Sequence, residues 1–262
     1  MELLQLTRKE MSQLLICLQG DGEHPDTPLS ILQKAWSSNH KQDIRSGKSF
    51  SAFIATSLPP ILEKLIKQEN RNPGLSLSEI VTLGNQIEHT HFSITSVQNW
   101  VKREIKEWIG TPRQGKKYSI EQAALLFLVE DLKATLDFES IRKLFSLIFH
   151  NPDDYDDDLL SPLHLYAAYS SIFEELDHDN DHVVDAAVKP FSGSAHVQLM
   201  DSRIQEKAKS YVEELTHLNS EQKEAIANTI VIAILSVQSA YFQKLSKQYL
   251  NATIFLRNLG PM

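Results

Sequence analysis

Cysteine is all but missing. Cys17 stands alone among 262 residues. A single thiol closes no internal disulfide, which excludes a disulfide-stapled secreted scaffold and points to a reducing compartment. Glycine and proline are scarce too, at nine and ten residues, few for a loop-rich or all-β chain. A clean apolar run of the roughly 20 residues that a membrane span requires is also lacking. The most apolar window, 225–242, is interrupted by Asn228, Thr229, Ser236, Gln238 and Ser239, and reads as a buried or dimer-forming helix. The N-terminus meets Glu2 at once, unlike a signal peptide. What remains, 42% apolar and 23% charged residues, is ordinary for a globular chain. The expectation is a soluble, cytoplasmic, almost wholly α-helical protein with no membrane partner.

Charge is uneven along the chain. The net value of −8 argues against a general nucleic-acid coat. Residues 151–217 carry fifteen Asp and Glu against four Lys and Arg. Residues 93–119 reverse this, with six basic residues against two acidic. A short basic patch is enough to meet phosphates, because screening confines distant charges to about 8–10 Å.

Apolar spacing near three and four residues predicts helices over 3–18, 29–36 and 52–68, with breaks at 20–25 and 70–74. Ser76-Leu77-Ser78-Glu79 reads as a capped helix start. A second short helix is expected over 96–107, then a basic loop over 110–117. Ser119 caps a third helix, and Asp137 to Ser140 open a fourth. The run of Asp between 151 and 158 reads as a linker. A helix over 163–176 and a long antiparallel pair, 198–218 and 220–250, complete the pattern. Three parts follow: an N-terminal helical segment (1–72), a DNA-reading unit (73–150) and a C-terminal helical domain for dimerisation or sensing (151–262).

Two short helices, a basic loop and two more helices form an arrangement that reads DNA. The second helix is expected to expose Thr95, Ser96, Gln98, Asn99, Lys102 and Arg103, with Ile94, Val97, Val101 and Ile105 turned inward. Gln and Asn bond adenine edges, Arg bonds guanine, and Ser and Thr reach bases or phosphate. The loop adds Arg113, Gln114, Lys116 and Lys117 beside Tyr118, a set suited to phosphate contact. Trp100 is expected to pack between the second helix and this loop.

The stretch Ile109-Gly110-Thr111-Pro112-Arg113-Gln114-Gly115-Lys116-Lys117-Tyr118-Ser119 resembles the wing of MerR-type regulators: a turn, a proline, an arginine, a glycine, a basic residue, then Tyr-Ser opening the next helix. Thr95, Val101-Lys102, Pro112 and Lys116-Lys117-Tyr118-Ser119 are similar to the pattern of the domain of unknown function 1836 family. The likeness runs from about 52 to 150. It implies an all-α fold with a MerR-like winged helix-turn-helix, binding double-stranded DNA as a transcriptional regulator. The metal-binding cysteines of metal-sensing MerR proteins are absent. Trp100-Val101-Lys102-Arg103 stands where that family usually ends its recognition helix with Arg-Tyr-Tyr.

Other constellations are weaker. Ser46-Gly47-Lys48-Ser49 lacks the preceding glycine of a phosphate loop, since Gln42 holds that place. Asp177, Asp179, Asp181 and Asp185 start like a calcium loop, but His182 replaces its glycine and Val188 its glutamate. His178, His182, His196 and His217 lack a ligand motif. No Ser-His-Asp or Cys-His motif stands out, so neither an enzyme nor a cofactor or metal is expected. A homodimer is expected through the last long helix, where Ile226, Ile230, Ile234, Val237 and Tyr241 recur at three- or four-residue spacing and Ile230 and Ile234 should lie in a dimer interface or a tight intramolecular core. Two alternatives stand beside DNA binding: a helical protein-interaction module working through the acidic 151–217 segment, and a small-ligand sensor using the C-terminal part.

Overall fold

The structure, a computed structural model, describes residues 4–20, 26–39, 58–67, 72–151, 154, 157–179 and 193–258. Over these it contains eleven helices: α1 (Arg8–Gln19), α2 (Pro28–Asn39), α3 (Pro60–Ile66), α4 (Leu77–Gly84), α5 (Ile94–Asn99), α6 (Lys106–Ile109), α7 (Ile120–Leu132), α8 (Phe138–Phe145), α9 (Pro162–Asp179), α10 (Gly193–Glu213) and α11 (Ser220–Asn258). The expected all-α class is what the described residues show. The Ser46–Ser49 stretch and His182 lie outside the described residues, as do Asp181, Asp185 and Val188 and the side chains of Asp177, His178, Asp179 and His196.

Local chemistry sets most helix starts. Thr7 and Glu10, Ser76 and Glu79, and Ser119 and Gln122 each form a reciprocal capping box that satisfies two orphan N–H groups. Asp137 accepts from the Ser140 N–H at 2.8 Å and starts α8. The first cap corrects one expectation. Because Thr7 caps α1, residues 4–7 are not helical, and Leu6 instead pairs with the turn after α4. Its N–H donates to the Gln86 carbonyl (2.8 Å), and its carbonyl accepts from the Glu88 N–H (2.9 Å).

The core is continuous from Leu4 to Val237 and draws on all three parts of the chain. Helix α9 lies against α1, α7, α10 and α11, and brings Tyr166 and Tyr169 to its centre. There Arg8 and Asp131, each about 3% exposed, form a buried ion pair. The Arg8 Nη2 lies 2.8 Å from Asp131 Oδ1 and its Nε 3.0 Å from Oδ2. The Tyr169 hydroxyl donates to Asp131 at 2.6 Å, and Arg8 Nη1 donates to the Glu88 carbonyl at 3.2 Å. Burial opposes the charge on Arg8, but Asp131 overcomes it and raises the guanidinium pKa. The Arg8–Asp131 pair thus ties α1, the α4–α5 turn, α7 and α9 together.

Helix α11, long and apolar enough by length and composition to cross a membrane, packs its first half into this core. Ile226, Ile230, Ile234 and Val237 are buried within the single chain, so these four are used internally and do not offer a dimer surface. Tyr241 is half-buried and stacks edge-on against His89 of the α4–α5 turn, ring centres 4.9 Å apart. Burial there, with Lys244 and Arg8 nearby, lowers the His89 pKa to about 4.

Candidate nucleic-acid interface

Helices α4 and α5 are joined by residues 85–93, longer than the three or four residues of a minimal helix-turn-helix. Asn85 closes this turn from both sides: its Nδ2 donates to the Phe92 carbonyl (3.1 Å), and its Oδ1 accepts from the Phe92 N–H (2.8 Å). Gly84 is required here, because a Cβ would stand 2.6 Å from the Phe92 ring. Lys64 of α3 pairs with Glu79, and hydrogen bonds from Lys64 and Ser76 outweigh burial to lower the Glu79 pKa to about 2.

The expected single helix over 96–107 is three pieces. After α5 the chain widens into a π turn (Trp100–Glu104), in which the Ile105 N–H reaches back to the Trp100 carbonyl at 2.9 Å, and α6 follows. A turn wider than 3.6 residues brings residues four apart closer to one line. Gln98 and Lys102, and Asn99 and Arg103, are therefore better aligned than in a regular α-helix. Thr95, Gln98, Asn99, Lys102 and Arg103 are exposed, and Ser96 is half-buried. Val97 and Ile105 are buried as expected and Val101 is half-buried. Ile94, expected inward, is exposed, because it sits at the first position of α5 before the helix reaches the core.

Trp100 is buried. It packs on Phe92 and Phe138, with ring centres 6.4 and 6.2 Å away, and Lys133 Nζ lies 5.2 Å above its ring. These neighbours come from the α4–α5 turn, the start of α8 and the end of α7.

The basic loop closes as a minimal hairpin. Gln114 N–H donates to the Lys117 carbonyl (2.9 Å) and Lys117 N–H to the Gln114 carbonyl (3.1 Å). Gly115 takes φ +67° at the tip, a conformation glycine adopts without strain. The Leu75 and Tyr118 backbones exchange two bonds of 2.8 Å, adding a third extended segment. Gly74 lies beneath: a Cβ there would meet Gln114 Cβ at 2.7 Å and Lys117 Cβ at 2.8 Å. Gln114, Lys116 and Lys117 are exposed, and Arg113 is half-buried. Tyr118 is a correction to the expected surface set. Successive extended residues point to opposite faces, so Lys117 points outward while Tyr118 is only 8% exposed, its phenol pKa raised by burial.

A match to the family model described as Domain of unknown function (DUF1836) covers residues 58–171. The uncharacterized protein YkrK of Bacillus subtilis (strain 168) is 34% identical over 248 residues, spanning 93% of this chain and 95% of that protein. This chain belongs to the DUF1836 family. No solved structure matches it significantly.

The DUF1836 segment runs from α3 into α9 and holds every residue of the candidate surface. It also holds two anchors that sequence reasoning left as first-turn residues. The Gln122 amide, fully buried, donates to the carbonyls of Ile109 and Thr111, both at 2.6 Å, while its oxygen accepts from the Ser119 N–H. It fastens the root of the hairpin to α7. The Glu121 carboxylate accepts from the Leu163 N–H (2.8 Å), Ser161 Oγ (3.1 Å) and Gln19 Nε2 (3.1 Å), and so caps α9. Further along, His150, Asp157 and Asp158 place ligand atoms within 4.8 Å of one another. The two carboxylates close the loop by accepting the N–H groups of Asn151 and His150. Burial and the neighbouring Asp157 raise the Asp158 pKa to about 6.

Proposed function

We propose that this DUF1836 protein binds double-stranded DNA in a sequence-specific manner as a transcriptional regulator, through a MerR-like winged helix-turn-helix at 73–150. The observation that carries this reading is the Gln114–Lys117 hairpin, pinned to Leu75 and Gly74 and rooted by Gln122, which presents two exposed lysines. Its lysines supply sequence-independent phosphate attraction. Gln98, Asn99, Lys102 and Arg103, exposed on α5 and its π turn, supply groups able to read base edges in the major groove. The positive balance of 93–119 inside an acidic chain supports the same assignment.

The first test is a fluorescence-anisotropy titration of the full chain on mixed-sequence duplex DNA over a salt series. Binding that weakens linearly in log–log form as salt rises supports the reading. Absence of binding at low salt contradicts it and favours the protein-interaction alternative.

A further inference from the structure

Within residues 73–150, the exposed large apolar side chains are Ile94 and Leu147. Leu147 lies in the turn after α8, whereas Ile94 is the first residue of α5. The exposed arc of α5 and its π turn begins at Ile94. Gln98 follows about 40° further round, and Thr95 and Asn99 lie beyond it, whereas Val97, about 60° the other way, is buried. Ile94 and Gln98, four residues apart, are neighbours on the helix surface. One branched apolar group, 39% exposed, thus opens a row that is otherwise polar and basic: Thr95, Gln98, Asn99, Lys102 and Arg103.

We propose that Ile94 reads the C5-methyl group of a thymine in the major groove. The inference rests on DNA binding through α5 and adds a base that the polar side chains do not recognise. A lone exposed isoleucine is ordinary on a solvated helix; its place at the head of a base-reading row gives it a partner. A recognition helix meets base edges with its N-terminal residues, and Ile94 is the first residue of α5. Thymine presents a methyl group in that groove, and apolar side chains make contact with it. Contact removes apolar surface of both groups from water. Gln98 beside it is suited to adenine N6 and N7. Neighbouring side chains on a helix stand about 5–6 Å apart, which spans one to two base steps of about 3.4 Å. The thymine therefore falls within about two base pairs of the adenine that Gln98 reads.

The experiment takes the duplex that the full-length wild type enriches from random DNA and replaces each thymine in turn by deoxyuridine, which lacks only that methyl group. Anisotropy at fixed salt should find one position where the wild type binds about fourfold more weakly, the effect of one methyl-sized apolar contact. At that position Ile94→Ala should bind the thymine and uracil duplexes equally, with a melting temperature near that of the wild type. Ile94→Val should keep a preference of about twofold for thymine. No enrichment by the wild type overturns the DNA-reading assignment and this inference with it. An enriched duplex indifferent to deoxyuridine at every thymine overturns this inference alone. So does a deoxyuridine penalty that persists in Ile94→Ala, which assigns the methyl contact to another side chain such as Thr95.

Discussion

The side-chain amide of Asn99, at the end of α5, donates to the carboxylate of Glu104 across the π turn, at 3.3 Å. Glu104 is held in turn by Arg142, whose Nη1 donates to its carbonyl at 2.9 Å and lies 3.6 Å from its carboxylate. An asparagine that reads adenine uses both its amide hydrogen and its oxygen, so the proposed role requires Asn99 to leave Glu104. A carboxylate on this surface also repels phosphate. Glu104→Gln is expected to tighten DNA binding by about threefold to tenfold, on the order of 1 kcal/mol. Anisotropy at fixed salt measures it. Unchanged or weaker binding means that Glu104 does not restrain the surface.

The hairpin lysines act differently. Replacing Lys116 and Lys117 with Ala should weaken binding to all sequences alike and reduce the salt slope by about one unit per lost phosphate contact. Both side chains are exposed, so the fold should be unaffected. A double variant with the wild-type slope removes the hairpin from the interface.

What was legible in the sequence was local. Ser76, Ser119 and Asp137 each meet a group three residues away, a spacing that shows in the chain itself. The exposure of Gln98, Asn99, Lys102 and Arg103 followed from period alone. The π turn did not, because a change of winding leaves no mark in residue type. Arg8 and Asp131 are 123 residues apart, and nothing near either announces the other. Gly74 read as a chain break, yet its reason lies in Gln114 and Lys117, some 40 residues on. Tyr118 would have been placed inward had the loop been treated as a strand with two-residue alternation.

Gly74→Ala tests that packing. The added methyl group has no room between the Gln114 and Lys117 side chains, and the crowding should cost about 1–3 kcal/mol. Thermal melting should fall, and DNA affinity with it as the hairpin shifts. A variant matching the wild type in both contradicts the close approach.

Removing one half of the buried pair has a larger effect. Asp131→Ala leaves the Arg8 charge buried without its counter-ion, and such losses run to about 3–5 kcal/mol. Denaturant melts read the change directly. Because Arg8 also holds the Glu88 carbonyl, hydrogen exchange in the α4–α5 turn should accelerate. A loss below about 1 kcal/mol would show that this pair does not hold the core together.

Sequence reading by α5 is the central claim, and selection from random duplex DNA with wild-type and Asn99→Ala protein tests it most directly. The wild type should enrich a defined motif. The variant should enrich a relaxed or altered one, at a cost of about 1–3 kcal/mol on the original site, with non-specific binding nearly intact because phosphate contacts supply that term. Identical motifs from both proteins, or no enrichment by the wild type, would contradict the account.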